Sequence, residues 1–159
     1  MPAASAKHSS GDANALSVLA VVNQHEIDLG TQALAKGVTG GVRDYANKMK
    51  AEHGTNLEQT RTIASANAFT LTDTGTVKSM KAKGAAEAAK LAKLEGAAYE
   101  RAYVDAMVKG HAEVLDKLDK TLIPLASDPE VVAHLKATRT HVAEHLAAAK
   151  ALQAAKPAK

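Results

Sequence analysis

Ser127-Asp128-Pro129-Glu130-Val131 is a helix start written out in residue types. Asp128 can cap the free N–H groups, Pro129 suits the first helical position, and Glu130 suits the positive end of the helix dipole. From there Val131, Leu135, Thr138, Val142, His145, Ala149 and Leu152 recur at helical spacing and form one stripe. Within it, His141-Val142-Ala143-Glu144-His145 places two imidazoles four residues apart, so both point toward the same side and could hold a metal ion between them.

Working backward, a short link containing Pro124 joins this helix to a third one over residues 97–122. Its stripe is Glu100, Tyr103, Val104, Met107, His111, Leu115, Leu118 and Leu122, and Pro124 is expected to stop it. The first helix is expected to start after Ser9-Ser10-Gly11 with Asp12 as its cap, and it carries Leu16, Leu19, Ala20, Ile27 and Leu34. Asn23, Glu26 and Gly30 fall on the same stripe. A glycine in mid-helix costs about 1 kcal/mol against alanine, so Gly30 is expected where a neighbour comes close. Gly37 reads as the C-terminal glycine. The second helix has Val42, Ala46, Met49, His53, Leu57, Thr60, Ile63 and Ala64. Residues 73–94 read as a crossover of one or two short helices, rich in Ala and Lys. Two antiparallel helical hairpins joined by a crossover give an all-α four-helix bundle. Residues 12–153 are expected as that domain, residues 1–11 as a disordered leader and residues 154–159 as a flexible tail.

The chain has 159 residues, enough to bury a core without staples. It has no cysteine, which rules out thiolate metal sites and disulfides. A formal charge of +3 is too small and too evenly spread to argue for nucleic acid, and four aromatic residues (Phe69, Tyr45, Tyr99, Tyr103) offer no stacking platform. No apolar run is long enough to span a membrane. The small, polar start reads either as the leader of an exported protein whose signal peptide has been removed or as the frayed end of a cytosolic one, and composition does not separate the two.

Glu26, His53, His111 and His145 thus occupy core stripes of four different helices. With a rise of about 1.5 Å per residue, Glu26 and His53 lie roughly 15 and 20 Å from their shared turn, and His111 and His145 roughly 20 and 24 Å from theirs. All four are expected at a common depth. A buried carboxylate needs a cation, a protonated imidazole or a metal, so the set reads either as a transition-metal site or as a buried polar layer. Zn or Cu is the expected ion, because imidazole outnumbers carboxylate. His141 is a further candidate ligand one turn from His145, or a solvated residue on the rim. His25 and Glu144 are expected at the surface, while His134 lies off the stripe and His8 in the frayed start. Glu100 is about 16 Å from His111 along the helix, too far for the same site. Paired Glu-x-x-His motifs are missing, which argues against a di-iron centre. No phosphate loop, nucleophile constellation or zinc-protease motif is present.

At these residues the chain resembles the domain-of-unknown-function family 4142, ferritin-like bacterial proteins that are mostly exported or of the envelope. The matching pieces are His25-Glu26-Ile27-Asp28-Leu29-Gly30, Tyr45-Ala46-Asn47-Lys48-Met49 with Glu52-His53, Gly96 to Tyr103, Met107 to His111, and His145-Leu146. The chain differs at Tyr99-Glu100, where the family tends to Phe-Asp, and at Glu52, where Asp is usual; both changes keep the chemistry. The resemblance implies a ferritin-like bundle and a periplasmic location, but no activity. Three functions follow as expectations: a periplasmic metal-binding protein for sequestration or envelope stress, a structural or interaction protein of the envelope, and, with no substrate to name, an enzyme. The oligomeric state is not readable.

Overall fold

The computed structural model of the chain describes residues 5–155, with side chains from Ser10 onward. The side chain of His8, residues 1–4 of the expected leader and the last four residues of the expected tail lie outside what is described. The described residues are all-helical, with no strand. The elements are α1 (Ser5–Ala35), α2 (Gly40–Ala66), α3 (Gly75–Ala92), α4 (Gly96–Lys117), a π turn (Leu118–Leu122), α5 (Ile123–Leu125) and α6 (Pro129–Ala155).

Contacts across the helices give their directions. Asn23 meets Asn56 while Gly30 meets Ala46, so α1 and α2 run antiparallel. Asp105 bonds Gln153 and Asp119 bonds Arg139, so α4 with its extension and α6 are antiparallel as well. On α2 and α6, Thr60 pairs with His134 and Glu52 with His145, again antiparallel. The two helices α2 and α4 therefore point the same way, and the chain between them must return from one end of the fold to the other. That is the task of α3, which lies on α1 and runs parallel to it, with Gln32 on the Ala88 carbonyl and Lys36 on that of Ala92. The crossover is one helix, capped by the Thr74 hydroxyl, which accepts from Val77 N at 3.2 Å.

Both short links form as their residue types require. Gly37 has φ +76°, a left-handed conformation that glycine adopts without strain. A Cβ at Gly30 would lie 3.1 Å from the Ala46 carbonyl oxygen, so the glycine sets how closely α1 and α2 approach. Asp128 caps α6, its Oδ1 accepting from Glu130 N at 2.9 Å and Val131 N at 3.3 Å.

Two expectations about helix ends need correction. Asp12 does not cap α1, whose described part runs from Ser5 and passes through it. Asp12 is instead fully buried and accepts from Ser127 N at 2.8 Å and Asp128 N at 3.2 Å, tying α1 to the start of α6. Nor does Pro124 end the helical path. A π turn precedes it, closed by Ile123 N on the Leu118 carbonyl, and its wider coil lets one more short helix include the proline.

The buried side chains divide into two apolar clusters. One holds Leu29, Tyr45, Met49, Tyr99, Tyr103 and Met107; the other holds Leu16, Leu19, Leu118, Leu122, Leu135 and Val142. Each such side chain contributes about 1.5–3 kcal/mol by leaving water. In sequence, the polar positions of α1, α2, α4 and α6 fall between the two: Asn23 and Glu26, His53, His111, and His145, all buried.

Candidate metal centre

His53, His111 and His145 come from α2, α4 and α6 and converge. One ligand nitrogen of each lies within 4.8 Å of the others. Their ring centroids are 5.1–5.7 Å apart. Each ring is held by a hydrogen bond on its outer side, and each bond fixes the tautomer. His111 Nδ1 lies 2.9 Å from the Met107 carbonyl oxygen, to which it can only donate. His145 Nε2 lies 2.8 Å from Glu52 Oε1 and donates to that carboxylate. Asn23 uses its NH2 group on Asn56 Oδ1 at 2.7 Å, so its own Oδ1 is the acceptor for His53 Nδ1 at 2.8 Å.

The other nitrogen of each ring is then unprotonated and carries a lone pair. Those same atoms, His53 Nε2, His111 Nε2 and His145 Nδ1, are buried without a hydrogen-bond partner. Glu26 Oε2 is in the same state, 4.0 Å from His111 Nε2, too far for a hydrogen bond. Four electron-pair donors thus lie in the core, and none of them meets a hydrogen-bond donor among the described residues. Buried polar atoms are almost always paired, and an open one costs about 1–3 kcal/mol. Burial holds the His53 pKa well below the usual imidazole value, helped by His111 and His145. Burial likewise lowers His145, against the opposing pull of its Glu52 bond. Both rings are kept neutral, the state in which imidazole binds a metal. The hydroxyl of Tyr103 is also buried and unpartnered, and burial together with the Glu26 charge raises its pKa.

The expected residues are thus placed as follows. His53, His111 and His145 meet, and Glu26 stands beside His111. His141 is exposed and does not belong to the three-histidine cluster; it lines a cavity of about 300 Å³ that reaches His53 and His145. Glu144 is exposed on the same rim. His134 is buried, bonded to Thr60 at 2.8 Å. His25 is not a free surface residue, since α3 covers it and Glu87 bonds it at 2.8 Å. Glu100 accepts from Thr39 N at 3.3 Å, in the link between α1 and α2.

Sequence reasoning missed the outer partners. Asn23 carried a signal, as an amide on the apolar stripe one turn before Glu26. Glu52 carried none, because its role depends on the register of α2 against α6. The family model for a domain of unknown function, DUF4142, matches residues 1–152. No curated protein and no solved structure matches the chain.

Proposed function

The chain belongs to the DUF4142 family, and we propose that it is an exported, ferritin-like four-helix bundle that holds one transition-metal ion at His53, His111 and His145. One observation carries this reading: the three ring nitrogens left without partners are the three that converge, and each ring is oriented by an acceptor on its far side. That outer support by carboxylate, carbonyl or amide is the usual companion of a metal-bound histidine. Tetrahedral bonds of about 2.0–2.1 Å space ligand atoms roughly 3.3 Å apart, so small ring movements would close the set. Glu26 is the fourth donor and balances part of the ion's charge. Three imidazoles and one carboxylate suit Zn or Cu. The ion would be sequestered or buffered; periplasmic residence comes from the family resemblance.

Elemental analysis of the untagged protein, with and without added divalent metals, tests this. About one ion per chain is expected in the wild type, and its loss in His111→Ala and His53→Ala. Equal content in all three proteins would overturn the site. A second reading, a structural or interaction protein of the envelope, is favoured by the continuous hydrogen-bonded run from His53 through Asn23 and Asn56 to Thr138. It predicts a metal-free wild type whose melting temperature ignores chelators.

A further inference from the structure

Two cavities reach the polar layer from different sides. The one of about 300 Å³ lies between α1, α2 and α6; behind its rim of Glu52, His141 and Glu144 stand His53 and His145. Among the described residues no lysine or arginine lines it, although Lys48 stands 3.9 Å from Glu52 at its edge. The other, about 240 Å³ between α1, α3 and α4, ends on Glu26, and Lys83, Lys109 and Lys117 line it beside Glu87 and Glu113. An arriving divalent cation is drawn to the carboxylates of the first rim, whereas the three lysines of the second cavity offset the charge of Glu26, Glu87 and Glu113.

The geometry points to His141, Glu144 and Glu52 as a loading port, a transient metal-binding rim that hands a divalent cation to the buried histidines; the inference rests on the metal reading above. His141 lies one turn before His145 on α6, and Glu52 is already bonded to the His145 ring. The unpartnered nitrogens, His53 Nε2 and His145 Nδ1, have no contact with solvent. A cation held by His141 and Glu52 therefore stands one imidazole away from the buried site, since the His145 ring that Glu52 orients through Nε2 carries its open nitrogen, Nδ1, on the inner side. His141 is exposed, and so sits where a first ligand must stand and where a final one would not.

Zinc uptake by metal-free full-length protein tests this, with Zn²⁺ supplied from a chromophoric chelator and release of the free chelator followed in time. Wild type, the His141→Ala/Glu144→Gln double variant and Lys109→Ala/Lys117→Ala are compared. The rim variant should load roughly tenfold more slowly, the scale of electrostatic steering, and reach the wild-type zinc content. The lysine variant should load no more slowly than wild type. Equal rates for rim variant and wild type, with both fully loaded, would overturn the port and leave the metal site standing. So would a rim variant that ends with less zinc, since His141 would then be a resident ligand. A wild type that takes up no zinc removes the metal reading itself, and the port with it.

Discussion

Two sets of buried polar groups lie side by side in this chain, and only one of them is complete. Around His134 every donor has its acceptor: the ring Nε2 lies 2.8 Å from the Thr60 hydroxyl, which in turn donates to the Asn56 carbonyl at 2.8 Å. Asn56 Nδ2 donates to Thr138 Oγ1 at 2.8 Å, and that hydroxyl donates to the His134 carbonyl. In the neighbouring set, three histidine nitrogens and one carboxylate oxygen have nothing. Both sets contain buried histidines with lowered pKa values. Burial and a shifted pKa therefore do not distinguish a packing histidine from a ligand; the convergence of unpaired atoms does.

Metal removal should separate the two sets most sharply. An ion that binds only the folded chain, at a thousandfold excess over its Kd, stabilises by about 4 kcal/mol. For a chain of this size that raises the melting temperature by roughly 8–16 °C. Thermal unfolding of zinc-loaded and chelator-treated wild type should show this difference, and His111→Ala should show none. A chelator-insensitive wild type would mean that the incomplete set is tolerated as it is.

A smaller effect is expected in the complete set. Thr60→Val keeps the shape but removes the partner of His134 and one bond to the α2 backbone. Leaving a buried polar atom unpaired costs about 1–3 kcal/mol, which urea unfolding would read as a lower midpoint at unchanged slope. Zinc content should stay at the wild-type level. Lost zinc would show that the Asn56–Asn23 connection makes the two sets one unit.

Much of this was legible in the residues. Each of the four long helices carries at least one titratable residue on its apolar stripe, and counting the rise along antiparallel hairpins puts Glu26, His53, His111 and His145 at one level. His134 falls off the predicted stripe and is nonetheless buried, because the packing face of α6 is wider than a single line and α2 meets it through Thr60. The ends of α1 and α4 were misread for a related reason. Asp12 looks like a cap and is used as one by a different segment 115 residues away, and Pro124 looks like a stop until the π turn ahead of it makes room. Local signals state what a residue can satisfy; which group it satisfies depends on pairings between distant helices.

The finest comparison is between two tyrosines whose rings meet edge to face at 6.4 Å. The Tyr45 hydroxyl donates to the His145 carbonyl at 3.0 Å, while that of Tyr103 is buried with no partner. Tyr45→Phe should lower stability by about 1 kcal/mol, the net value of one hydrogen bond. In the metal-free protein Tyr103→Phe should cost nothing or stabilise by up to about 1 kcal/mol, because it deletes a desolvated group that has no bond to lose. Urea midpoints of the two metal-free variants decide it. If Tyr103→Phe costs as much as Tyr45→Phe, the hydroxyl has a partner in solution, and Glu26, whose charge already acts on it, is the candidate. Glu26 would then be engaged on the tyrosine side rather than left open, and the ion would rest on three imidazoles alone.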